Sequence, residues 1–227
     1  MPAPKWSLPA RALLAFALCV LRTSAFGAEG GELRSPGTRT LVTLGYARVD
    51  YRESWIELSL GAACVQVDHA RYLSFLEFSG TAFSLFAPSR SDGHSMSFAG
   101  LDLRAGPFFR PSRQVFVSLL AGYSYLTTFT SAPLGFVDLN GFEFGPTLRA
   151  LVAGRHRIEL ALKLVPSGDG LEAESAARST TVGVTYCAGS MSEACLSWSV
   201  MYQAATVSVG GREVGSSLFS VGVGYAF

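Results

Sequence analysis

The C-terminal end of the chain, SSLFSVGVGYAF, alternates strictly between two kinds of side chain. One face carries Phe219, Val221, Val223, Tyr225 and Phe227, and the other carries serine, glycine and alanine with a single leucine. A period of two over this length predicts a β-strand with one apolar face and one small or polar face.

Segments with the same alternation recur along the chain. Hydrophobic residues make up 49% of the sequence, but beyond the N-terminal region no stretch approaches the roughly 18 consecutive apolar residues of a membrane-spanning helix. A strand with one face toward lipid needs an apolar side chain only at every second position. The pattern predicts ten strands, at residues 38–49, 55–67, 72–86, 95–109, 114–129, 142–152, 156–165, 179–187, 195–209 and 216–227.

The connections between these segments alternate in length. Residues 68–71 (DHAR), 110–113 (RPSR) and 153–155 (AGR) predict tight turns, whereas the intervening connections are longer and rich in glycine and proline. Transmembrane barrels of bacterial outer membranes have short turns on the periplasmic side and longer loops outside. The chain is therefore predicted to be all-β, a closed antiparallel up-and-down transmembrane barrel of about ten strands. Eight strands are the alternative if the weak first hairpin is miscounted.

The N-terminal region has the order of a secretory signal peptide. Lys5 and Arg11 are followed by an uncharged apolar run, and Ala25 and Gly27 supply the small residues of a cleavage site. The run of ten residues is too short for a spanning helix, which needs about 20. We expect a signal peptide at residues 1–27, a short periplasmic segment at 28–37 and the barrel at 38–227.

The charge of the exported chain bears on its partners. Removal of the signal peptide takes away Lys5, Arg11 and Arg22, so 18 − 3 = 15 basic residues remain against 17 acidic ones, and the net charge is −2. A weakly acidic chain without a basic run argues against nucleic acid as a partner. No residue pattern indicates a cofactor, and none is expected.

The chain ends in an aromatic residue, Phe227, and a second aromatic residue, Tyr225, lies two positions before it. This ending resembles the C-terminal signal of bacterial outer-membrane β-barrels, whose final strand is recognised by the barrel assembly machinery. The alternation along the whole chain resembles the small barrels of the OmpA/OmpX type. The resemblance implies location in the outer membrane, lipid as the surrounding partner, and an assembly signal formed by Val223, Tyr225 and Phe227.

A second set of residues falls on the strand face opposite the apolar one. These charged side chains are predicted to point into the barrel lumen, where they form either a network that plugs it or a charge-selective channel. Barrels of about eight strands are filled by side chains, and open channels appear at about 16 strands. We therefore favour a structural or surface-interaction barrel with a plugged lumen, and keep a narrow pore or small-solute transporter as the alternative. The predicted lumen residues are Glu57, Glu77, Asp102, Arg104, Glu143, Arg149, Glu159 and Lys163.

No catalytic site is predicted. Known outer-membrane enzymes, such as lipid A deacylases, the outer-membrane phospholipase and omptin proteases, combine histidine with serine or aspartate on or just above the barrel wall. The nearest candidate is Asp92-Gly93-His94 in an outer loop, where aspartate could orient the imidazole as a general base. Aspartate and glycine are also ordinary turn residues, so we interpret the segment as a polar loop tip and keep an enzyme as the last alternative.

Cys64, Cys187 and Cys195 remain after export into an oxidising compartment. Cys187 and Cys195 flank the seven-residue connection AGSMSEA between two neighbouring strands. We predict a disulfide between these two residues, and interpret Cys64 as a small apolar side chain that faces lipid. Because no histidine or carboxylate cluster accompanies the thiols, no metal site is expected.

Overall fold

The computed structural model describes residues 37–53, 56–86, 89–91, 94–112, 114–131, 136–152, 156–169, 176–188, 194–209 and 212–227. These residues form eleven β-strands: β1 (Thr38–Glu53), β2 (Ile56–Leu73), β3 (Leu76–Leu85), β4 (Ser89–Ser91), β5 (His94–Ser112), β6 (Val115–Thr130), β7 (Phe136–Val152), β8 (His156–Asp169), β9 (Ala176–Ala188), β10 (Cys195–Val209) and β11 (Arg212–Ala226).

Ten of the strands close into one antiparallel barrel, which confirms the predicted fold and strand number. Leaving out the short strand β4, each strand pairs with the next one in sequence, so that β3 pairs directly with β5. The ring closes where β1 pairs with β11. The closure continues to the last residue, because Phe227 and Thr40 exchange two backbone hydrogen bonds of 2.8 and 2.9 Å. The three-residue strand β4 pairs only with the outer end of β5 and is not part of the wall.

The strand register follows the tight turns. β7 ends at Val152 and β8 begins at His156, so the predicted turn at 153–155 places Arg149 directly opposite Glu159, as expected. The predicted turn at 68–71 is wrong, because β2 continues to Leu73 and the chain reverses at Ser74. Ser74 has a φ of 52°, a left-handed backbone conformation that a tight turn requires.

The outward face of the wall carries a continuous apolar band. On β11 the band runs over nine residues from Phe219 to Phe227, and its outward side chains are 41% to 52% exposed. This length matches the roughly 9–11 residues that a tilted strand needs to cross a bilayer. Aromatic residues border the band on both sides, as in barrels that span outer membranes. The outer border contains Tyr46, Tyr123, Phe142, Tyr202 and Phe219, and the periplasmic border contains Phe75, Phe78, Phe109, Trp198, Tyr225 and Phe227. Among the described residues, no helix is long and apolar enough to span a membrane.

The strands continue beyond the outer aromatic border, and there the two faces exchange character. On β1, Arg48 and Arg52 point outward, whereas Val49 and Tyr51 are buried in the lumen. This part of the wall, which we call the outer collar, is polar outside and apolar inside, as in a water-soluble barrel. A wall that stands above the bilayer faces water rather than lipid, so the inversion is what its surroundings require.

The inversion corrects the predicted orientation of β2. Leu58, Leu60 and Cys64 were expected to face lipid and Glu57 to face the lumen. In the structure, the first three are buried inside the barrel and Glu57 is exposed on the outer collar. The alternation on β2 was recognised correctly, but the assumption that every apolar face meets lipid fails above the membrane.

Candidate functional site

The lumen contains seven of the eight charged residues that were predicted to face it, Glu57 being the exception. Four further charged residues also point inward, namely Arg39, Asp68 and Arg157 in the periplasmic half and Glu53 at the outer end. Ten of the inward charged side chains lie in the periplasmic half of the barrel, and eight of these form two clusters of four. An apolar layer fills the outer half above them.

The first cluster is built around Arg149 on β7. Its guanidinium makes two parallel hydrogen bonds to Glu77 on β3, from Nη1 to Oε2 at 2.8 Å and from Nη2 to Oε1 at 2.7 Å. Its Nε donates to Oε2 of Glu159 on β8 at 3.1 Å, and Glu159 also accepts a hydrogen bond from Arg39 on β1. The cluster therefore joins four strands and contains two cations and two carboxylates.

Neutral groups complete the surroundings of this cluster. Ser118 donates to the Glu77 carboxylate, and the ring of Tyr72 lies 5.5 Å from the Arg149 guanidinium carbon. Glu77 is 0% exposed and Arg149 is 4% exposed. Removing either partner would leave a charge without a counter-charge in a poorly hydrated site, which costs several kcal/mol of folding stability. The cluster is thus positioned to stabilise the barrel cross-section.

The second cluster lies nearer the outer end of the barrel. Lys163 on β8 forms an ion pair with Asp102 on β5, and Arg104 on β5 forms one with Glu143 on β7 across 3.2 Å. Gly122 on β6 stands between Arg104 and Glu143 in the strand register. A glycine there leaves the space over which the two long side chains meet, because it has no Cβ of its own.

Asp68 on β2 lies between the two clusters. It accepts hydrogen bonds from Thr81 at 2.8 Å and Gln66 at 2.7 Å, and Lys163 also donates to Thr81. A polar cavity of about 30 Å³ lies beside it, bounded by Arg39, Ser79, Arg104 and Glu159 among other residues. This volume holds a few water molecules at most, not a solute.

The ten charges of the periplasmic half balance. The five carboxylates are Asp68, Glu77, Asp102, Glu143 and Glu159, and the five cations are Arg39, Arg104, Arg149, Arg157 and Lys163. Selective pores hold an excess of one sign of charge to attract the permeating ion. The equal and mostly paired charges of this half of the lumen are suited to cohesion instead.

An apolar layer of buried side chains lies above the charges. Phe83 and Phe98 meet edge to face with ring centroids 5.9 Å apart, and Leu58, Leu126 and Leu139 are buried in the same cluster. Each of the ten barrel strands contributes at least one buried side chain to it. Side chains from every side of the barrel wall therefore take part in the layer.

The predicted disulfide between Cys187 and Cys195 is present at the periplasmic end of the lumen, with a Cα–Cα distance of 6.0 Å. Nη2 of the buried Arg157 lies 3.0 Å from Sγ of Cys187. Cys64 is a free thiol in the apolar layer, so its predicted orientation toward lipid is wrong. The disulfide joins the end of β9 to the start of β10 at the periplasmic end of the barrel wall.

The catalytic candidate Asp92-Gly93-His94 lies largely outside the described residues, which include only the backbone of His94. Within the described part of the chain, no group of three or more histidine, cysteine and carboxylate side chains could hold a metal ion. The lumen clusters combine each carboxylate with cations or hydroxyl donors rather than with a nucleophile and a base. Their geometry supports cohesion.

No protein-family model and no curated protein matches the chain. Among solved structures, it is similar to the outer membrane protease OmpT from Escherichia coli, with 9% identity, a TM-score of 0.64, and coverage of 84% of this chain and 96% of that one. The chain folds as a transmembrane β-barrel of the bacterial outer-membrane type. Weaker likenesses link this barrel to Ail of Yersinia pestis (12% identity, TM-score 0.39, coverage 84% and 99%) and Neisserial surface protein A (12%, 0.36, 86% and 98%). At these identities the likeness concerns the fold alone.

Proposed function

We propose that this barrel is a sealed integral protein of the bacterial outer membrane, with a structural or surface-interaction role carried by its outer collar and loops. The observation that carries the proposal is the apolar layer to which all ten barrel strands contribute. Ions crossing it would lose their hydration without gaining compensating ligands. The charge-balanced clusters beneath it add a second barrier.

Export and assembly complete the proposal. Residues 1–27 direct the chain across the inner membrane and are removed, and residues 28–37 remain as a short periplasmic segment. The final strand, with Val223, Tyr225 and Phe227 on its lipid face, engages the barrel assembly machinery. Support comes from the exposed aromatic pair Tyr225 and Phe227, whose ring centroids are 6.3 Å apart at the periplasmic border of the apolar band.

Planar-bilayer recording of the refolded protein tests the seal. We expect no discrete openings for the parent protein. The double variant Phe83→Ser, Phe98→Ser removes the central ring pair of the apolar layer and should leak ions if that layer is the barrier. The variant Leu44→Ser, Phe219→Ser, which changes two lipid-facing side chains, serves as the matched control and should stay closed. Stable openings of the parent protein would contradict the proposal and favour a narrow pore.

A further inference from the structure

Glu53 differs from the other carboxylates of the lumen. It is the last residue of β1, at the outer mouth of the barrel, and is only 4% exposed. Within the described residues, Oε1 of this side chain has no hydrogen-bond partner, and Oε2 accepts only a long bond of 3.4 Å from the hydroxyl of Tyr51.

The other lumen carboxylates all lie within or between the two ionic clusters. Glu77 and Glu159 bind Arg149, Asp102 binds Lys163, and Glu143 binds Arg104. Asp68 is linked to Lys163 through the hydroxyl of Thr81. No cation of these clusters is within ion-pair distance of Glu53, and the apolar layer, which begins with Tyr51 directly below it, lies between.

A buried carboxylate without a counter-charge is expensive, and the barrel gains nothing for its own cohesion by keeping one at this place. We infer that the outer mouth is a binding site for an organic cation, in which the Glu53 carboxylate receives an ammonium or guanidinium group carried on an apolar body. This inference rests on the proposed sealed barrel, because a sealed lumen makes the mouth a place of binding rather than of passage.

The side chains below Glu53 specify the rest of the ligand. Tyr51 and Leu58 face each other in the strand register next to Glu53, and both are buried in the apolar layer, so the floor on the lumen side of Glu53 is apolar and partly aromatic. Such a floor favours an apolar body over a hydrated metal ion, and aromatic faces attract cations as well. The cation can come from a small amine or from a lysine or arginine side chain of a partner, since both present the same chemistry.

Isothermal titration of the refolded full barrel in zwitterionic detergent tests the site. The probes are tryptamine, its neutral analogue tryptophol, its anionic analogue indole-3-acetate, and the blocked peptide acetyl-Leu-Lys-Leu-amide. We expect tryptamine or the peptide to bind, and both indole analogues to bind at least about tenfold more weakly, the difference expected for a charged hydrogen bond. Tryptamine binding identifies a small-amine site, whereas binding of the peptide alone identifies a partner's basic side chain.

Two variants assign the binding to this carboxylate. Glu53→Gln keeps the shape of the side chain and should weaken cation binding by about tenfold or more. Glu213→Gln removes an exposed carboxylate of the outer collar and should leave binding unchanged. Heat-modifiable migration on gels verifies that each variant folds, and the analogue comparison on the parent protein needs no variant at all. Equal binding of tryptamine and tryptophol, equal binding by Glu53→Gln, or no binding of either cation would overturn the inference. None of these results bears on the seal, which bilayer recording tests separately.

Discussion

Arg149 and Glu77 are joined by two parallel hydrogen bonds of 2.8 and 2.7 Å across the lumen, although 72 residues separate them in the chain. Arg149→Ala should lower the free energy of unfolding by about 3–5 kcal/mol, because it leaves the fully buried Glu77 without its counter-charge. The measurement is urea unfolding of the refolded protein. Arg48→Ala, which removes an exposed ion pair with Asp50, is the control and should cost at most about 1 kcal/mol.

The same geometry predicts which second change rescues Arg149→Ala. Glu77→Gln should recover more stability than Glu159→Gln, because Glu159 keeps its ion pair with Arg39 when Arg149 is lost. The comparison uses the two double variants in the same unfolding assay. Better rescue by Glu159→Gln would show that the bidentate pair is not the main partnership of this cluster.

The part of this site that sequence could predict is the part set by local geometry. Arg149 faces Glu159 because only three residues separate two regularly alternating strands that pair with each other, and the spacing and the alternation are both visible in the sequence. Glu77 could be placed on the inner face, but its contact with Arg149 depends on how the whole barrel closes and so on no local pattern. Arg39 was missed because it lies at the very start of β1, where there is too little alternation to assign a face.

The first hairpin shows a different limit. Its outer half obeys the same period of two as the rest of the barrel, yet Leu58 and Leu60 face inward and Glu57 outward. The period reveals the two faces of a strand but does not reveal whether lipid or water lies outside. Only the barrel height relative to the apolar band decides that, and height requires the structure.

Gly122 offers a test of close strand packing in the second ionic cluster. A Cβ at this position would lie 1.9 Å from the carbonyl oxygen of Leu103 and 2.6 Å from the Cα of Arg104, which are backbone atoms that cannot turn aside. Gly122→Ala should therefore destabilise the barrel by about 1–3 kcal/mol. Gly183 also faces the lumen but has no atom within 4 Å of such a Cβ, so Gly183→Ala should change the unfolding midpoint little. Similar midpoints for both variants would contradict the packing argument.

The Cys187–Cys195 bond should contribute modestly to stability. The two residues are eight positions apart, and closing so short a loop contributes about 2–3 kcal/mol in the entropic account. Mass spectrometry of the unreduced protein should find the two linked peptides and a free Cys64. The double variant Cys187→Ser, Cys195→Ser should unfold at lower urea concentration, whereas Cys64→Ala reports the loss of a thiol alone. Free thiols at both positions in the exported protein would disprove the bond.

Phe227 continues the lipid-facing row of β11, and its backbone belongs to the pairing that closes the barrel. Its backbone exchanges two hydrogen bonds with Thr40, whereas its ring is exposed at the periplasmic border. Phe227→Ala keeps the backbone bonds and removes only the ring, so refolding in detergent should be nearly unchanged. In cells we expect severalfold less folded barrel, measured by heat-modifiable migration, because the ring belongs to the proposed assembly signal. Phe219→Ala, at the other end of the same apolar row, is the control, and equal cellular yields of the two variants would argue against that signal.

The outer collar predicts where water meets the barrel wall. Glu57 points outward above the aromatic border, whereas Leu44 points outward within the apolar band and is 56% exposed only because no lipid covers it in the isolated chain. In a Cys64→Ala background, Glu57→Cys should react rapidly with a membrane-impermeant maleimide added to intact cells. Leu44→Cys should stay unlabelled until the membrane is dissolved, and Leu60→Cys, buried in the apolar layer, should stay unlabelled even then unless the protein is unfolded. This order of reactivity separates lipid, water and lumen at three positions of one hairpin. Labelling of Leu60→Cys as soon as detergent dissolves the membrane, together with an unreactive Glu57→Cys, would restore the orientation of β2 that the alternation alone suggested, and the collar would then not be inverted.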